Sequence, residues 1–114
     1  MSLENDNSQL CIVLCTVGDE LTAGNISKSL VESRLAACVN IIPNIRSIYT
    51  WNNQVEDSSE LLLVIKTLKS HFEKVQTEIL ELHPYELPEI ICLNPSEVFD
   101  KYLNWLESTV KESI

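Results

Sequence analysis

A chain of 114 residues, 45% apolar and 22% charged, has the length and composition of one folded domain, which excludes extensive disorder. Seventeen Asp and Glu against eight Lys and Arg leave a formal charge of −9, a balance that repels phosphate backbones and anionic lipid and argues against nucleic acid or a membrane surface as partner. With Gly18 and Gly24 the only glycines, neither the P-loop nor the dinucleotide fingerprint can be written in the chain.

Residues 1–9 are polar, carry Glu4 and Asp6 and contain no apolar h-region, so they are expected to form a flexible N-terminus rather than a signal peptide. No later run reaches the ~20 apolar residues of a membrane span, and the expected location is the cytoplasm. Residues 10–114 are expected to form a single domain. In that setting Cys11, Cys15, Cys38 and Cys92 are expected as reduced thiols, three of them in apolar, strand-like runs where a free cysteine acts as a small hydrophobe.

Leu10 to Val17 is almost wholly apolar and predicts a central strand. Asp19 is placed to cap a helix running to Arg34, with Ile26, Leu30 and Val31 at helical spacing and Gly24 weakening it. Ala36 to Trp51 and Gln54 to Thr67 read as two strands joined at Asn52-Asn53, residues that tolerate positive φ. Arms of about 13 residues at ~3.3 Å per residue span ~43 Å, so the tip must overhang a domain this small. A neighbouring copy of the chain would cover those exposed edges most simply. Pro43-Asn44 interrupts the first arm and marks a bulge.

Ser70 and Glu73 have the spacing of a capping box, and Phe72, Val75, Ile79 and Leu82 then form one helical face. Pro84 and Pro88 stop that helix before an apolar strand at Glu89 to Leu93. Asn94 as N-cap, Pro95 at the first helical position and Glu97 predict a last helix with Phe99, Tyr102, Leu103, Leu106 and Val110 on one face. The order β-α-β-β-α-β plus a terminal helix is the α+β split β-α-β arrangement, an antiparallel sheet with helices on one face.

That topology gathers the end of the first strand, the end of the second helix and the start of the fourth strand on one rim. Cys15, His83 and Glu89 would meet there, and thiolate with imidazole favours copper or zinc over magnesium or calcium. The plainer reading of the same residues is a core cysteine, a histidine favoured by the helix dipole and a solvated carboxylate. Cys11 and Cys15, ~13 Å apart along one strand, are not a chelating pair. Tyr49 and Trp51 near the hairpin tip suit a subunit interface or a pocket wall. Lys66, at the far end of the third strand, reaches the rim only from a neighbouring subunit, and otherwise is a solvated strand end. His71 reads as a neutral surface residue without a role. No residues match H-E-x-x-H, C-x-x-C, G-x-S-x-G or the EF-hand pattern, so an enzyme is not indicated.

The stretches 13–17 (Val-Leu-Cys-Thr-Val), 34–43 (Arg-Leu-Ala-Ala-Cys-Val-Asn-Ile-Ile-Pro), 47–49 (Ser-Ile-Tyr) with Trp51, and 83–90 (His-Pro-Tyr-Glu-Leu-Pro-Glu-Ile) closely resemble the CutA divalent-cation tolerance proteins. The resemblance runs from Leu10 to Val110 in order and at matching spacing. It implies a ferredoxin-like fold, a tight homotrimer and a role in tolerance to copper and other divalent metals. It also implies copper ligation by the strand-one cysteine and the histidine of the His-Pro-Tyr motif, here Cys15 and His83. Some members carry a second histidine just before that motif, where this chain has Leu82. With an intersubunit pocket at Tyr49, Trp51, Lys66 and Tyr85, the alternative is a trimeric small-ligand sensor or scaffold, by analogy with PII-type signal proteins.

Overall fold

The computed structural model describes residues 9–110; the expected flexible N-terminus, apart from Gln9, lies outside the described residues. The elements in order are β1 (Leu10–Val17), α1 (Glu20–Glu32), β2 (Cys38–Trp51), β3 (Gln54–Leu68), a 3-10 turn (Lys69–His71), α2 (Phe72–Leu82), β4 (Ile91–Leu93) and α3 (Asp100–Thr109). One antiparallel sheet has the order β2-β3-β1-β4, the α+β arrangement expected. Among the described residues no helix is long and apolar enough to cross a membrane.

The alternation of β1 decides where the layers go. Cys11, Val13, Cys15 and Val17 point to one face and are fully buried, joined by Leu63 and Ile65 of β3, Ala23, Ile26 and Leu30 of α1, and Val75 and Ile79 of α2. Leu10 and Ile12, on the opposite face, pack with Leu106 and Val110 at the end of the chain. The terminal helix therefore departs from the one-face expectation: α1 and α2 share a face and α3 covers one end of the other. Beyond α3 that second face is apolar and open, with Ile91 and Leu93 close to half exposed.

Local signals hold at several positions. Asp19 accepts a hydrogen bond from the Thr22 N–H at 2.8 Å and caps α1. Arg34 ends α1 with φ 63°, and the Leu35 and Ala36 N–H groups fold back to the Leu30 carbonyl. The hairpin turns at Asn52 and Asn53, both with positive φ, and its register breaks between Ile42 and Ile45, the bulge expected at Pro43-Asn44. From Ile45 and Glu60 to the tip the two arms pair only with each other, because β1 reaches no further than Leu61. The overhang gives the molecule its long dimension, 47 × 28 × 22 Å.

Elsewhere the tertiary structure overrides the local signal. The Ser70–Glu73 capping box is not made: Lys69–His71 forms a 3-10 turn, α2 opens at Phe72 without a side-chain cap, and the Ser70 hydroxyl lies 3.1 Å from His71 Nδ1. His71, expected on the surface, is buried. The last helix begins at Asp100 rather than after Asn94, and Phe99 is left 72% exposed instead of on the buried face. The fourth strand shortens to Ile91–Leu93 because β1 offers it only Ile12 to Leu14.

The expectation of four reduced thiols is also corrected. Cys11 and Cys92 are joined as a disulfide, with Cys15 and Cys38 free. The β1–β4 register sets Val13 opposite Cys92, which leaves Cys11 on the diagonal with a Cα–Cα separation of 6.2 Å. A bridge spanning 81 residues of chain removes loop entropy worth on the order of 4 kcal/mol from the unfolded state. Thiol titration of the unreduced, denatured chain should therefore find two free cysteines, and dithiothreitol should lower the urea midpoint. Four free thiols and an unchanged midpoint would remove the bridge.

Candidate functional site

Three segments distant in sequence meet at one end of the sheet: the C-terminal end of β1, the outer part of the hairpin, and the stretch between α2 and β4. They enclose an open cleft of about 700 Å³ lined by Thr16, residues 47–51, Glu60, residues 85–87 and Glu89. Pro84 shapes the last of these segments. The residue before a proline is pushed out of the helical region, and His83 takes extended backbone, φ −85° and ψ 128°, while its N–H still bonds the Ile79 carbonyl.

The extended backbone turns the His83 ring toward β1. It is buried, and both nitrogens are occupied: the Tyr85 N–H donates to Nδ1 at 3.2 Å, so the ring proton sits on Nε2 and is donated to the Thr16 carbonyl at 2.8 Å. Cys15 Sγ reaches the same carbonyl at 3.8 Å. The Cys15 thiol is fully buried, and burial first, then the nearby Glu89 and Glu60, pushes its pKa up to about 12. It is a protonated thiol at neutral pH.

Tyr85 forms the next layer. Its ring packs against His83 with centroids 4.5 Å apart, and its hydroxyl donates to Glu60 at 2.7 Å. Burial, followed by this bond, holds the phenol well above its ordinary range, so it stays a donor. A Cβ on Gly18 would fall 2.9 Å from the Tyr85 oxygen, so the glycine leaves the space through which Tyr85 reaches Glu60. Across the cleft, Tyr49 and Trp51 stand near the hairpin tip, with the Tyr49 hydroxyl 3.4 Å from Ser58 Oγ.

The expected residues thus divide. Cys15 and His83 meet at Thr16, Glu89 lines the cleft close enough to act on Cys15, and Tyr49, Trp51 and Tyr85 wall it. Lys66 is not part of the cleft: opposite Ile12 and Cys38 in the sheet, its ammonium bonds Asn40 Oδ1. Among the described residues no group of three His, Cys, Asp or Glu is arranged to hold an ion. Glu60 and Gly18 were not singled out from the sequence, although a carboxylate directly before the apolar run Leu61 to Ile65 is a usable signal.

The whole assembly lies within residues that match a known family: the model of the CutA1 divalent ion tolerance protein covers residues 11–109. The chain belongs to the CutA1 family. It is 48% identical over 95 residues to the divalent-cation tolerance protein CutA of Thermus thermophilus, covering 83% of this chain and 92% of that protein. The solved Cut A1 structure from Thermus thermophilus superposes with a TM-score of 0.87 at 45% identity, over 90% of this chain and 99% of that one. CutA from Xylella fastidiosa gives 0.88 at 36% identity, over 90% and 99%. Every cleft residue of this CutA1 chain falls inside the matched region.

The two free cysteines should respond differently to alkylation. Only thiolate reacts, so Cys15 with a pKa near 12 should resist iodoacetamide in the native chain at neutral to mildly alkaline pH, whereas the partly exposed Cys38 is labelled. Denaturation should release Cys15 to its ordinary reactivity. Peptide mapping checks both, and native labelling of Cys15 at a rate equal to Cys38 would contradict the site as described.

Proposed function

We propose that this chain acts in divalent-cation tolerance as a homotrimer, taking a borderline metal ion, copper before zinc, as cargo at the rim that carries Cys15 and His83, with Glu89 in the adjoining cleft. No substrate is turned over. The observation that carries this reading is the meeting of Cys15 Sγ and His83 Nε2 at the Thr16 carbonyl, beside a cleft holding Glu60, Glu86 and Glu89. Sulfur and imidazole donors select copper and zinc over harder ions. The Cys15 thiol gives up its proton to ligate, and the neutral His83 ring keeps its single proton on whichever nitrogen does not bind, so an incoming ion displaces one proton and binds less tightly as pH falls.

Assembly is supported by the surfaces left open. β2 is an edge strand, the hairpin projects beyond the sheet with Ile48 and Val55 more than 60% exposed, and the face carrying Ile91 and Leu93 is only partly covered by α3. Copies of the same chain and divalent ions are the partners proposed, and the charge of −9 disfavours nucleic acid and membrane.

A second reading, a trimeric small-ligand sensor or scaffold without a metal role, is favoured by one observation: both His83 nitrogens are already bonded and Cys15 is protonated. Calorimetric titration of Cu(I) and Cu(II) into the protein, with Cys15→Ser and His83→Ala beside it, separates the two. For the metal reading, affinity rises from about pH 6 to about pH 8. Each variant then loses more than the ~10–100-fold that follows removal of a residue merely supporting a ligand. Unchanged affinity and stoichiometry in both variants would leave the sensor reading in place. Light scattering on the same samples should give three times the chain mass, and a stable monomer would refute the trimer.

A further inference from the structure

The two sulfurs of the Cys11–Cys92 bridge differ in their access to solvent. Cys11 is fully buried between the sheet and the helices, whereas Cys92, half-buried on β4, lines a second groove of about 470 Å³ together with Lys69, Phe72, Glu73 and Asn94. This groove lies at the end of the sheet where β1 begins, since Leu68, directly before Lys69, pairs with Leu10, and Asn94 follows the last residue of β4. Cys92 sits opposite Val13, which faces α1 and α2, so its sulfur is on the helix-covered side of the sheet. The assembly proposed above uses the hairpin, the edge of β2 and the opposite apolar face, none of which includes the groove.

That asymmetry assigns the two sulfurs different parts. A disulfide opens when a thiolate attacks one of its sulfurs, and access selects which one. Here a small thiolate bonds Cys92 Sγ, the bond between the two cysteines breaks, and its electron pair leaves on Cys11 Sγ, which takes up a proton and becomes a small buried hydrophobe. A second small thiolate then bonds the sulfur of the first, and Cys92 leaves and is protonated in turn. In sum, the bridge and two small thiols give two cysteine thiols and one small disulfide, and the same steps reversed close the bridge with that disulfide as oxidant. Reduced Cys92 has an acceptor in place, Asn94 Oδ1 at 3.9 Å. Neither of the other cysteines intrudes: Cys15 is ~13 Å along β1 from Cys11, and Cys38, across from Lys66 and Ile12, is on the opposite face of the sheet.

We propose that Cys92 is a thiol-exchange site for a low-molecular-weight thiol and its disulfide, with Cys11 as the resolving thiol that expels the small thiol and restores the bridge. Lys69 gives the groove a cation to set against Glu73, and Phe72 gives it an apolar wall. The bridge is the covalent part of a short junction, because β4 pairs with β1 at three positions, and β4 follows directly on the segment that carries His83, Tyr85 and Glu89. Its state therefore sets how firmly the end of that segment is tied to the sheet. This rests on the Cys11–Cys92 pairing and is independent of both readings of the cleft.

The test equilibrates the intact chain with glutathione and glutathione disulfide at a series of ratios, quenches with acid, alkylates and maps the peptides. The bridge gives way to two thiols as the proportion of glutathione rises, and of the two bridge cysteines it is Cys92 on which the glutathione adduct is trapped. An adduct on Cys11 in comparable yield overturns the entry route. A bridge that stays closed in excess glutathione, or four free thiols at every ratio, overturns the site. In Cys11→Ala, which lacks the resolving thiol, glutathione disulfide leaves an adduct on Cys92 about tenfold or more above the wild-type level. In Cys92→Ala, Cys11 takes none until the chain is denatured. Equal adduct in Cys11→Ala and the wild type overturns the resolving role. Cys15 resists iodoacetamide in each variant that keeps its fold, and where one does not, trapping in the wild type decides. Hydrogen exchange at the amides of residues 91–93 becomes about tenfold or more faster on reduction, and an unchanged rate overturns the tether.

Discussion

The hydrogen bond from His83 Nε2 to the Thr16 carbonyl holds the functional end of the molecule together. β4 pairs with β1 only from Ile12 to Leu14, so Thr16 lies past the end of that ladder, and a half-buried carbonyl on that side needs another partner. His83 meets the need, and in doing so fixes where the chain passes between α2 and β4. Tyr85, Glu86, Leu87 and Glu89 follow from that anchor, and the cleft is the space they leave in front of the outer part of the hairpin. The short β4 and the shape of the cleft are two consequences of one backbone accounting.

The same bond has a chemical cost for metal chemistry. A histidine whose two nitrogens are satisfied by Thr16 and Tyr85 is a structural residue until something displaces one of them, and Cys15, buried with its proton on, is in a similar position. Donor types suited to copper are therefore present in a form that resists loading. In the adjoining cleft Glu60 receives the Tyr85 hydroxyl, Tyr85 packs on His83 and the Tyr49 hydroxyl meets Ser58. Loading this rim with an ion would therefore begin with proton displacement, while the adjoining cleft is open as it stands.

The cysteines divide along the same lines of burial and register. Cys11 and Cys15 share the helix-facing side of β1, yet Cys11 lies diagonal to Cys92 on β4 while Cys15 has β4 already behind it. One becomes a cross-strand bridge and the other a solitary thiol next to a histidine. Their separation along β1 by four residues is enough to give them unrelated chemistry.

Much of this protein is determined locally. Alternation along Leu10–Val17, the Asp19 cap, the Asn52-Asn53 turn, the break at Pro43-Asn44 and the prolines after Leu82 each act over a few residues, so their outcome is legible in the chain itself. The order of these elements is enough to place Cys15 and His83 at one rim with Glu89 in the cleft beside it, and the four stretches from 13–17 to 83–90 together are enough to indicate the family. What the sequence could not decide depends on partners remote in the chain. The Ser70–Glu73 box loses to a 3-10 turn because His71 is drawn into the interior, and Asn94 fails as a cap because α3 starts only at Asp100. The Cys11–Cys92 pair requires the β1–β4 register, the Glu60–Tyr85 contact requires the loop that His83 anchors, and the engagement of both His83 nitrogens requires an unpaired carbonyl at Thr16. Residue type sets which groups are able to bond, and only the tertiary structure decides which of them are already taken.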